Sequence, residues 1–137
     1  MKTKNNTLVW HLDARLDSLQ LLRIVLNDRT TRIDFGYQSN PKYDFGWWIN
    51  IFPETHLISS ASDRKFRMQD QQGMVVAPKR FHLEAVTDWH FFTLYFAPLP
   101  VMDQSISLIE SEEPDEDNFN MKNISLKLAD ALFMKID

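Results

Sequence analysis

Histidine has the broadest chemical repertoire of the side chains in this sequence, since imidazole titrates near neutral pH and binds metals. The chain has no cysteine, and no two of its four histidines are closer than eight positions: His11, His56, His82 and His90. A protein zinc site takes about three or four ligands, usually with one close pair among them. The spacing therefore predicts no metal site, and we expect ordinary surface or half-buried histidines.

The densest cluster of charge is acidic and lies in residues 110–117. Calcium takes about six to eight oxygen ligands, but Pro114 interrupts this run, and the ligand order of an EF-hand loop with its glycine is missing. The run favours a solvated, self-repelling loop that also discourages edge-to-edge pairing of strands. Its six carboxylates are Glu110, Glu112, Glu113, Asp115, Glu116 and Asp117.

Motifs for covalent catalysis and for phosphate binding are absent from the sequence. Ser59, Ser60 and Ser62 do not lie in a Gly-x-Ser-x-Gly context, which is the signature of a nucleophile elbow. The three glycines are too scattered for a phosphate-cradling loop. No pair of carboxylates is selected by the sequence for glycoside hydrolysis. The sequence therefore predicts no catalytic residue, no cofactor and no enzyme activity.

The most distinctive aromatic segment is Tyr43-Asp44-Phe45-Gly46-Trp47-Trp48. Adjacent tryptophans in an extended strand point to opposite faces, so if one lies in the core the other lies outside or under a loop. An exposed Trp beside Tyr43 would stack on a sugar ring or anchor a partner protein. The alternative is that the second Trp is covered by the predicted C-terminal helix or by an edge loop. Tyr43, Trp47 and Trp48 are thus the candidate contacts for a ligand or partner.

The elements that must position these residues are strands. Apolar and polar residues alternate in residues 30–37, 45–52 and 65–70, which is typical of half-buried strands. Residues 19–26 and 89–97 are apolar on both faces and predict buried central strands, so we expect Phe91 and Phe96 to be core residues. Weaker strand predictions cover residues 7–12, 55–60, 74–77, 105–110 and 118–126.

Turn residues separate these segments at spacings of about 8–12 residues, which is typical of a sandwich or barrel. Asn27-Asp28-Arg29-Thr30, between two strand patterns, predicts a hairpin turn. The sequence predicts an all-β fold, an antiparallel β-sandwich of about seven to nine strands, over residues 1–126. Residues 127–137 are predicted to form a helical appendage or linker.

The C-terminal helix is predicted from spacing. Leu128, Leu132 and Ile136 recur every four positions, which places them on one stripe of an amphipathic helix. Ser125 is a residue type that caps helix N-termini. A short helix over residues 126–136 would pack on the sandwich or lead into another element.

Composition and charge restrict the function classes. The 137 residues are 44% hydrophobic and 25% charged, with a net charge of −4 that owes much to the acidic run, as in one ordinary folded domain. There is no run of Lys and Arg, so we expect no nucleic-acid partner. No apolar run approaches the roughly 18 residues of a membrane span, and residues 1–7 are polar, so we expect no transmembrane segment and no signal peptide.

The sequence resembles a family of uncharacterised bacterial immunoglobulin-like domains. Residues 19–38, LQLLRIVLNDRTTRIDFGYQ, resemble the opening of that family, which has a strand, a short turn and a Thr-containing second strand. The closing half resembles it more strongly. There a Phe-rich strand precedes Pro98-Leu99-Pro100, a strand ending Ile109-Glu110, the acidic loop, Phe119-Asn120 and a strand ending Ile124-Ser125-Leu126.

The resemblance implies a non-catalytic binding or interaction module. Members of the family are found ahead of thioredoxin-like or other enzymatic domains in exported proteins, which implies an accessory role and an exported or periplasmic location. Without an export signal, the chain as given would be cytoplasmic. We expect a protein partner or self-association, with a glycan as the other ligand class. The alternatives are a carbohydrate-binding module using an exposed Trp, and a small β-barrel or jelly-roll enzyme or ligand carrier with a cavity.

Overall fold

The computed structural model describes residues 5–16, 18–38, 47–62, 64–83, 89–113 and 119–136. Within these ranges the chain is all-β, every strand pairing is antiparallel, and the longest helical element is a single 3₁₀ turn at Leu128–Asp130. The all-β, antiparallel prediction is therefore confirmed. No described helix has the length and hydrophobicity that a bilayer crossing requires.

Eleven strands lie within the described residues. They are β1 (Asn5–Leu16), β2 (Leu19–Leu26), β3 (Thr31–Gln38), β4 (Trp47–Ile49), β5 (His56–Ser59), β6 (Lys65–Gln72), β7 (Phe81–Leu83), β8 (Trp89–Phe96), β9 (Gln104–Ile109), β10 (Met121–Leu126) and β11 (Leu132–Ile136).

Nine of the strands form one sheet in the order β10-β9-β5-β6-β8-β3-β2-β1-β11, and β4 pairs with β7 in a small separate sheet. The large sheet curls like half of a barrel. Strand β6 makes the corner, since Lys65, Phe66 and Arg67 pair with β5 whereas Met68 to Gln72 pair with β8, with a bulge between Met68 and Asp70. A bulge bends the strand that carries it, so β6 belongs to both halves of the curl.

The turn predicted at Asn27-Asp28-Arg29-Thr30, between β2 and β3, is confirmed. The side-chain oxygen of Asn27 accepts hydrogen bonds from the backbone N–H groups of Arg29 and Thr30, at 2.8 and 2.9 Å. The backbone N–H of Asn27 donates to the carbonyl of Thr30. This Asx-type turn satisfies the backbone where the chain reverses, and it sets the register in which β2 pairs with β3.

The core lies on the concave side of the curl. Ile33, Phe35 and Tyr37 of β3 point into it, as the period-two pattern predicted. Across the strand pair they meet Leu94, Phe92 and His90 of β8, and the rings of Phe35 and Phe92 stack with centroids 5.0 Å apart. Burial of these side chains is the main stabilising contribution to the fold.

The two ends of the curled sheet approach each other. Strand β1 contacts β10, and the indole N–H of buried Trp10 donates to the carbonyl of Lys127 at 2.9 Å. The 3₁₀ turn that follows is held by a hydrogen bond from the Leu128 N–H to the Asp103 carboxylate, at 2.7 Å. The chain thereby passes from β10 at one end of the strand order to β11 at the other.

The predicted C-terminal helix over residues 126–136 is wrong. After the 3₁₀ turn the chain is extended, and the backbone from Leu132 to Ile136 pairs with β1 from Val9 to Asn5. A spacing of four is a multiple of two, so the same residues fit one face of a strand. A short isolated helix is marginal, whereas the extended chain from Leu132 to Ile136 gains backbone partners along the edge of β1.

Smaller differences concern the middle of the chain. Residues 74–77, predicted as a strand, contribute only an isolated parallel bridge between Val76 and Ile51. Strand β7 was not predicted, because a segment of three residues carries no measurable period. The segment 45–52 is described from Trp47 onward, and there only three residues form β4.

Candidate binding surface

Of the three residues predicted from sequence to contact a ligand, the structure describes the backbone of Trp47 and the side chain of Trp48. Tyr43 lies outside the described residues. The backbone of Trp47 pairs with Leu83 in the small sheet. The half-buried ring of Trp48 lies under Arg80, whose guanidinium carbon is 4.3 Å from the ring centroid. This is a cation–π contact, and it covers part of one face of the ring. A contact role for the three residues stays a prediction.

Two other aromatic residues are exposed on a central strand. The side chains of Trp89 and Phe91 on β8 point away from the hydrophobic core, and 46% and 64% of their surfaces are accessible. Their ring centroids are 6.3 Å apart and their planes differ by 13°. We refer to this pair as the aromatic platform. The expectation that Phe91 is a core residue is therefore wrong, whereas Phe96 on the opposite face is fully buried.

Gly36 makes room for the platform. It lies opposite Phe91 in the pairing of β3 with β8. A Cβ atom at this position would be 3.3 Å from Cε1 of Phe91 and 3.3 Å from Cε3 and Cζ3 of Trp89. A glycine inside a strand often marks such a close approach. The two rings thus close over the Gly36 backbone, and any side chain there would push them outward.

A charged cluster lies next to the platform on the same face. Asp34 is two positions before Gly36 on β3, and its carboxylate is bound from three strands. One carboxylate oxygen accepts from Nε and Nη2 of Arg23 on β2, both at 2.7 Å. The other accepts from Nε of Arg32 at 2.9 Å and from the Thr93 hydroxyl on β8 at 2.7 Å. We refer to Arg23, Arg32, Asp34 and Thr93 as the Asp34 cluster.

The electrostatics of the cluster favour an ionised carboxylate. Partial burial raises the pKa of Asp34, but hydrogen bonds from Thr93, Arg32 and Arg23 outweigh that effect and hold the pKa below its ordinary value of 3.8. Both arginine side chains remain about two-fifths exposed. A guanidinium has more N–H donors than these bonds use, so each arginine presents fixed donors to solvent.

Polar side chains border the platform on its other side. Gln20 of β2 lies opposite Gly36, and its amide group donates to the Asp13 carboxylate at 2.8 Å. The same carboxylate oxygen accepts from Nε of Arg15 at 3.2 Å. The outer face of β8, β3, β2 and β1 therefore combines two exposed rings with amide, carboxylate and guanidinium groups.

The buried polar groups elsewhere have structural roles. The buried Glu110 carboxylate accepts hydrogen bonds from the backbone N–H groups of Phe52 and Phe119, at 3.2 and 2.9 Å. The expectation of a fully solvated acidic run is thus wrong for Glu110. Glu112 is exposed and hydrogen-bonded to Nζ of Lys65 at 2.8 Å, which lowers the pKa of Glu112.

His56 lies on β5, and His90 lies between the two platform residues on β8 but points to the opposite face of the sheet. His56 is buried, with Nδ1 2.9 Å from the Glu54 carbonyl and Nε2 without a hydrogen-bond partner. His90 stacks on Phe81 with ring centroids 4.2 Å apart, and its Nε2 contacts the Gly73 carbonyl. In the described residues, no three His, Asp or Glu side chains come close enough to hold a metal ion.

Sequence reasoning missed Trp89 and Phe91 because WHFFTLYF is apolar at nearly every position. Two signals were present in the sequence. Thr93 shares their face at period two, and a Thr in that register marks a face that is not wholly core. Gly36, in the strand opposite, was the second signal of space reserved for large rings.

Comparisons with known proteins found no matching family model, no matching curated protein and no matching solved structure. The chemistry of this surface is therefore the starting point for its function.

Proposed function

We propose that the chain is a non-catalytic binding module that takes a glycan on the outer face of β8 and β3. The observation that carries this proposal is the exposure of the aromatic platform. Strand β8 is flanked by β6 and β3, so its outward rings do not protect an open edge. Paired exposed rings on a fixed surface are a feature of binding sites rather than of folding.

The chemistry of the surroundings favours a sugar over an apolar ligand. Flat aromatic rings bury much area at little entropic cost, and they fit the apolar face of a sugar ring. Hydroxyl groups at the rim of that sugar would meet amide and guanidinium donors, which Gln20 and Arg23 supply nearby. A largely apolar contact with a few placed polar groups is the usual composition of a ligand site.

A titration tests this proposal. Purified protein is titrated with cellotetraose, xylotetraose, chitotetraose and tetragalacturonate while Trp fluorescence is recorded. We expect saturable binding of at least one tetrasaccharide, and loss of binding in Trp89→Ala and Phe91→Ala. Phe133→Ala is the matched control, because Phe133 is a similarly exposed ring on β11. Absence of binding to every sugar would overturn the proposal.

A second candidate function is self-association, which exposed apolar side chains outside the platform favour. Exposed apolar side chains lie in the loop after β8, on the 3₁₀ turn and on β11, namely Val101, Met102, Leu128, Leu132 and Phe133. Strand β11 is last in the strand order, and a second copy related by a two-fold axis would pair antiparallel with the same edge. Sedimentation of the wild type and of Leu132→Asp tests this, and a monomeric wild type at high concentration would refute it.

The immunoglobulin-like assignment is part of the same proposal. Two features support it: the chain is all-β and antiparallel, and the closing-half residues that resemble the family fall on β8, β9 and β10 and the loops between them. Strand β6 pairs with β5 through one part and with β8 through another, and a bend there would let two parts of the sheet pack face to face as in a sandwich. A domain of this family would serve an enzymatic partner by holding it or its substrate.

A further inference from the structure

We infer that the ligand of the aromatic platform is an anionic glycan, whose carboxylate or sulfate groups bind the exposed guanidinium groups of Arg23 and Arg32. This inference rests on the proposed glycan-binding function and adds the class of sugar. The observation behind it is that the Asp34 cluster and the platform share one face of the sheet at adjacent positions.

The spacing fits one sugar unit. Gly36 lies under the platform, Asp34 is the next residue of β3 on that face, and Arg23 pairs directly with Asp34. Same-face neighbours along a strand are about 7 Å apart and adjacent strands about 5 Å apart. A sugar resting on the Phe91 ring would therefore place an acidic substituent within reach of a guanidinium, without any movement of the backbone.

The arginines are held in place before a ligand arrives. The Asp34 carboxylate binds both guanidinium groups, and the Thr93 hydroxyl completes its coordination. Fixing a long side chain in advance removes part of the entropic cost of binding. Each guanidinium keeps N–H groups directed away from Asp34, and guanidinium donors match the planar geometry of carboxylate and sulfate oxygens.

The distribution of charge around the platform also favours an anionic ligand. Two arginines around one carboxylate leave a local positive charge, on a chain whose net charge is −4. Beyond the cluster, Arg15 and Asp13 compensate each other, and Gln72 and Tyr95 form a neutral hydrogen bond at 2.8 Å. The exposed His11 lies opposite Arg23 on β1. Asp70, opposite Tyr95, adds an exposed carboxylate to this face on β6. The positive charges nearest to Phe91 are therefore those of Arg23 and Arg32.

Selectivity between matched sugars tests the inference. Tetragalacturonate, a sulfated tetrasaccharide and cellotetraose are titrated into the wild type at about 20 mM and about 500 mM salt. We expect an anionic sugar to bind about tenfold more tightly than cellotetraose at low salt, with the advantage reduced at high salt as charges are screened. The two anionic sugars show whether carboxylate or sulfate is preferred.

Arginine variants locate the effect. Arg23→Gln and Arg32→Gln, alone and together, are expected to reduce the affinity for the anionic sugar more than the affinity for cellotetraose, and so to remove the preference for the anionic sugar. Trp89→Ala is expected to abolish binding of both sugars. Arg29→Gln, an exposed arginine in the β2–β3 turn, is the matched control. If the double variant does not fold, the single variants and the salt dependence of the wild type still show whether the two arginines bind the anionic groups of the sugar.

The outcomes separate the two proposals. Equal affinity for neutral and anionic sugars, or a preference that survives in both single variants, overturns the inference and leaves glycan binding in place. No binding of any sugar overturns both. A pyrimidine oligonucleotide included in the same titration serves as a competing polyanion, and tighter binding of the oligonucleotide than of either anionic sugar would also overturn the inference.

Discussion

At the scale of single residues, exposure rather than residue type distinguishes structural from functional aromatics in this chain. Phe91 and Phe96 are five positions apart on β8 and have the same chemistry. Phe96 is fully buried, whereas Phe91 is largely exposed. Their local sequence is apolar on both sides, so the sequence could not separate them, and only the register of β8 against β3 does.

The first prediction concerns the stability of this pair. Phe96→Ala is expected to lower the free energy of unfolding by about 3–5 kcal/mol, because it leaves a cavity in the core. Phe91→Ala is expected to cost less than about 0.5 kcal/mol, because its ring is mostly in contact with solvent. Urea denaturation measures both. Equal losses would contradict the orientation of β8.

The second prediction concerns Asp34. Its folded pKa lies below the ordinary value of 3.8, so the stabilisation by its charged form is complete above that pH and is lost as the pH falls through the folded pKa. Asp34→Asn is expected to be less stable than the wild type at pH 7, because a neutral amide binds the two arginines more weakly than a carboxylate does. The loss is expected to be only about 1 kcal/mol, because solvent screens the half-exposed arginines.

The difference between wild type and Asp34→Asn is therefore expected to shrink below about pH 4, as the wild-type carboxylate takes up a proton. Urea unfolding at pH 7 and at pH 2.5 to 3, in the same salt, measures it, with Asp28→Asn in the β2–β3 turn as the control. A difference that is constant with pH would show that the hydrogen bonds do not depend on the charge of Asp34.

At the scale of elements, local pattern was a good guide wherever one face was polar. The alternation in residues 30–37 and 65–70 correctly assigned the inward residues of β3 and β6, such as Phe35 and Phe66. The local pattern gave the wrong element at the C-terminus. A spacing of four residues, as between Leu128 and Leu132, fits one face of a helix and one face of a strand equally. The extended conformation from Leu132 to Ile136 is fixed by pairing with β1, which lies more than a hundred residues away in sequence.

The third prediction concerns the fit between β3 and β8. Gly36→Val is expected to displace the Trp89 and Phe91 rings, because even a Cβ atom at this position would approach them to 3.3 Å. The protein should remain folded, since β-branched residues suit strands. We expect a shifted Trp emission spectrum and about tenfold weaker glycan binding. Gly36→Ala serves as the milder comparison, and unchanged emission in Gly36→Val would show that the rings do not rest there.

At the scale of the whole molecule, the strand order could not have been predicted from the sequence. Local patterns identify strands, but they contain no information on which strands become neighbours, and here β3 pairs with β8 across more than fifty residues. The corner in β6 and the contact between β1 and β10 follow from how the curled sheet closes around its core. The position of the candidate surface follows in turn from the pairing of β3 with β8.

The fourth prediction tests this closure. Trp10→Phe removes the hydrogen bond from the indole to the Lys127 carbonyl, which links β1 to the segment after β10. We expect a loss of about 1–3 kcal/mol, from an unpaired carbonyl and a small cavity. Trp48→Phe, at a half-buried ring in the small sheet, is expected to cost less. Equal melting temperatures for the two variants would argue against a structural role of the link.

The Asp34 cluster has a consequence for folding fidelity. A slide of β3 by two residues against its neighbours would keep every apolar side chain on the inner side, so hydrophobic burial alone does not forbid it. Such a slide would take Asp34 away from Arg23 and Thr93, and would drive a side chain into the space that Gly36 leaves for two rings. The same few residues that shape the outer surface therefore also fix the register of β3. They destabilise misregistered chains, whose unpaired strand edges would be prone to aggregation.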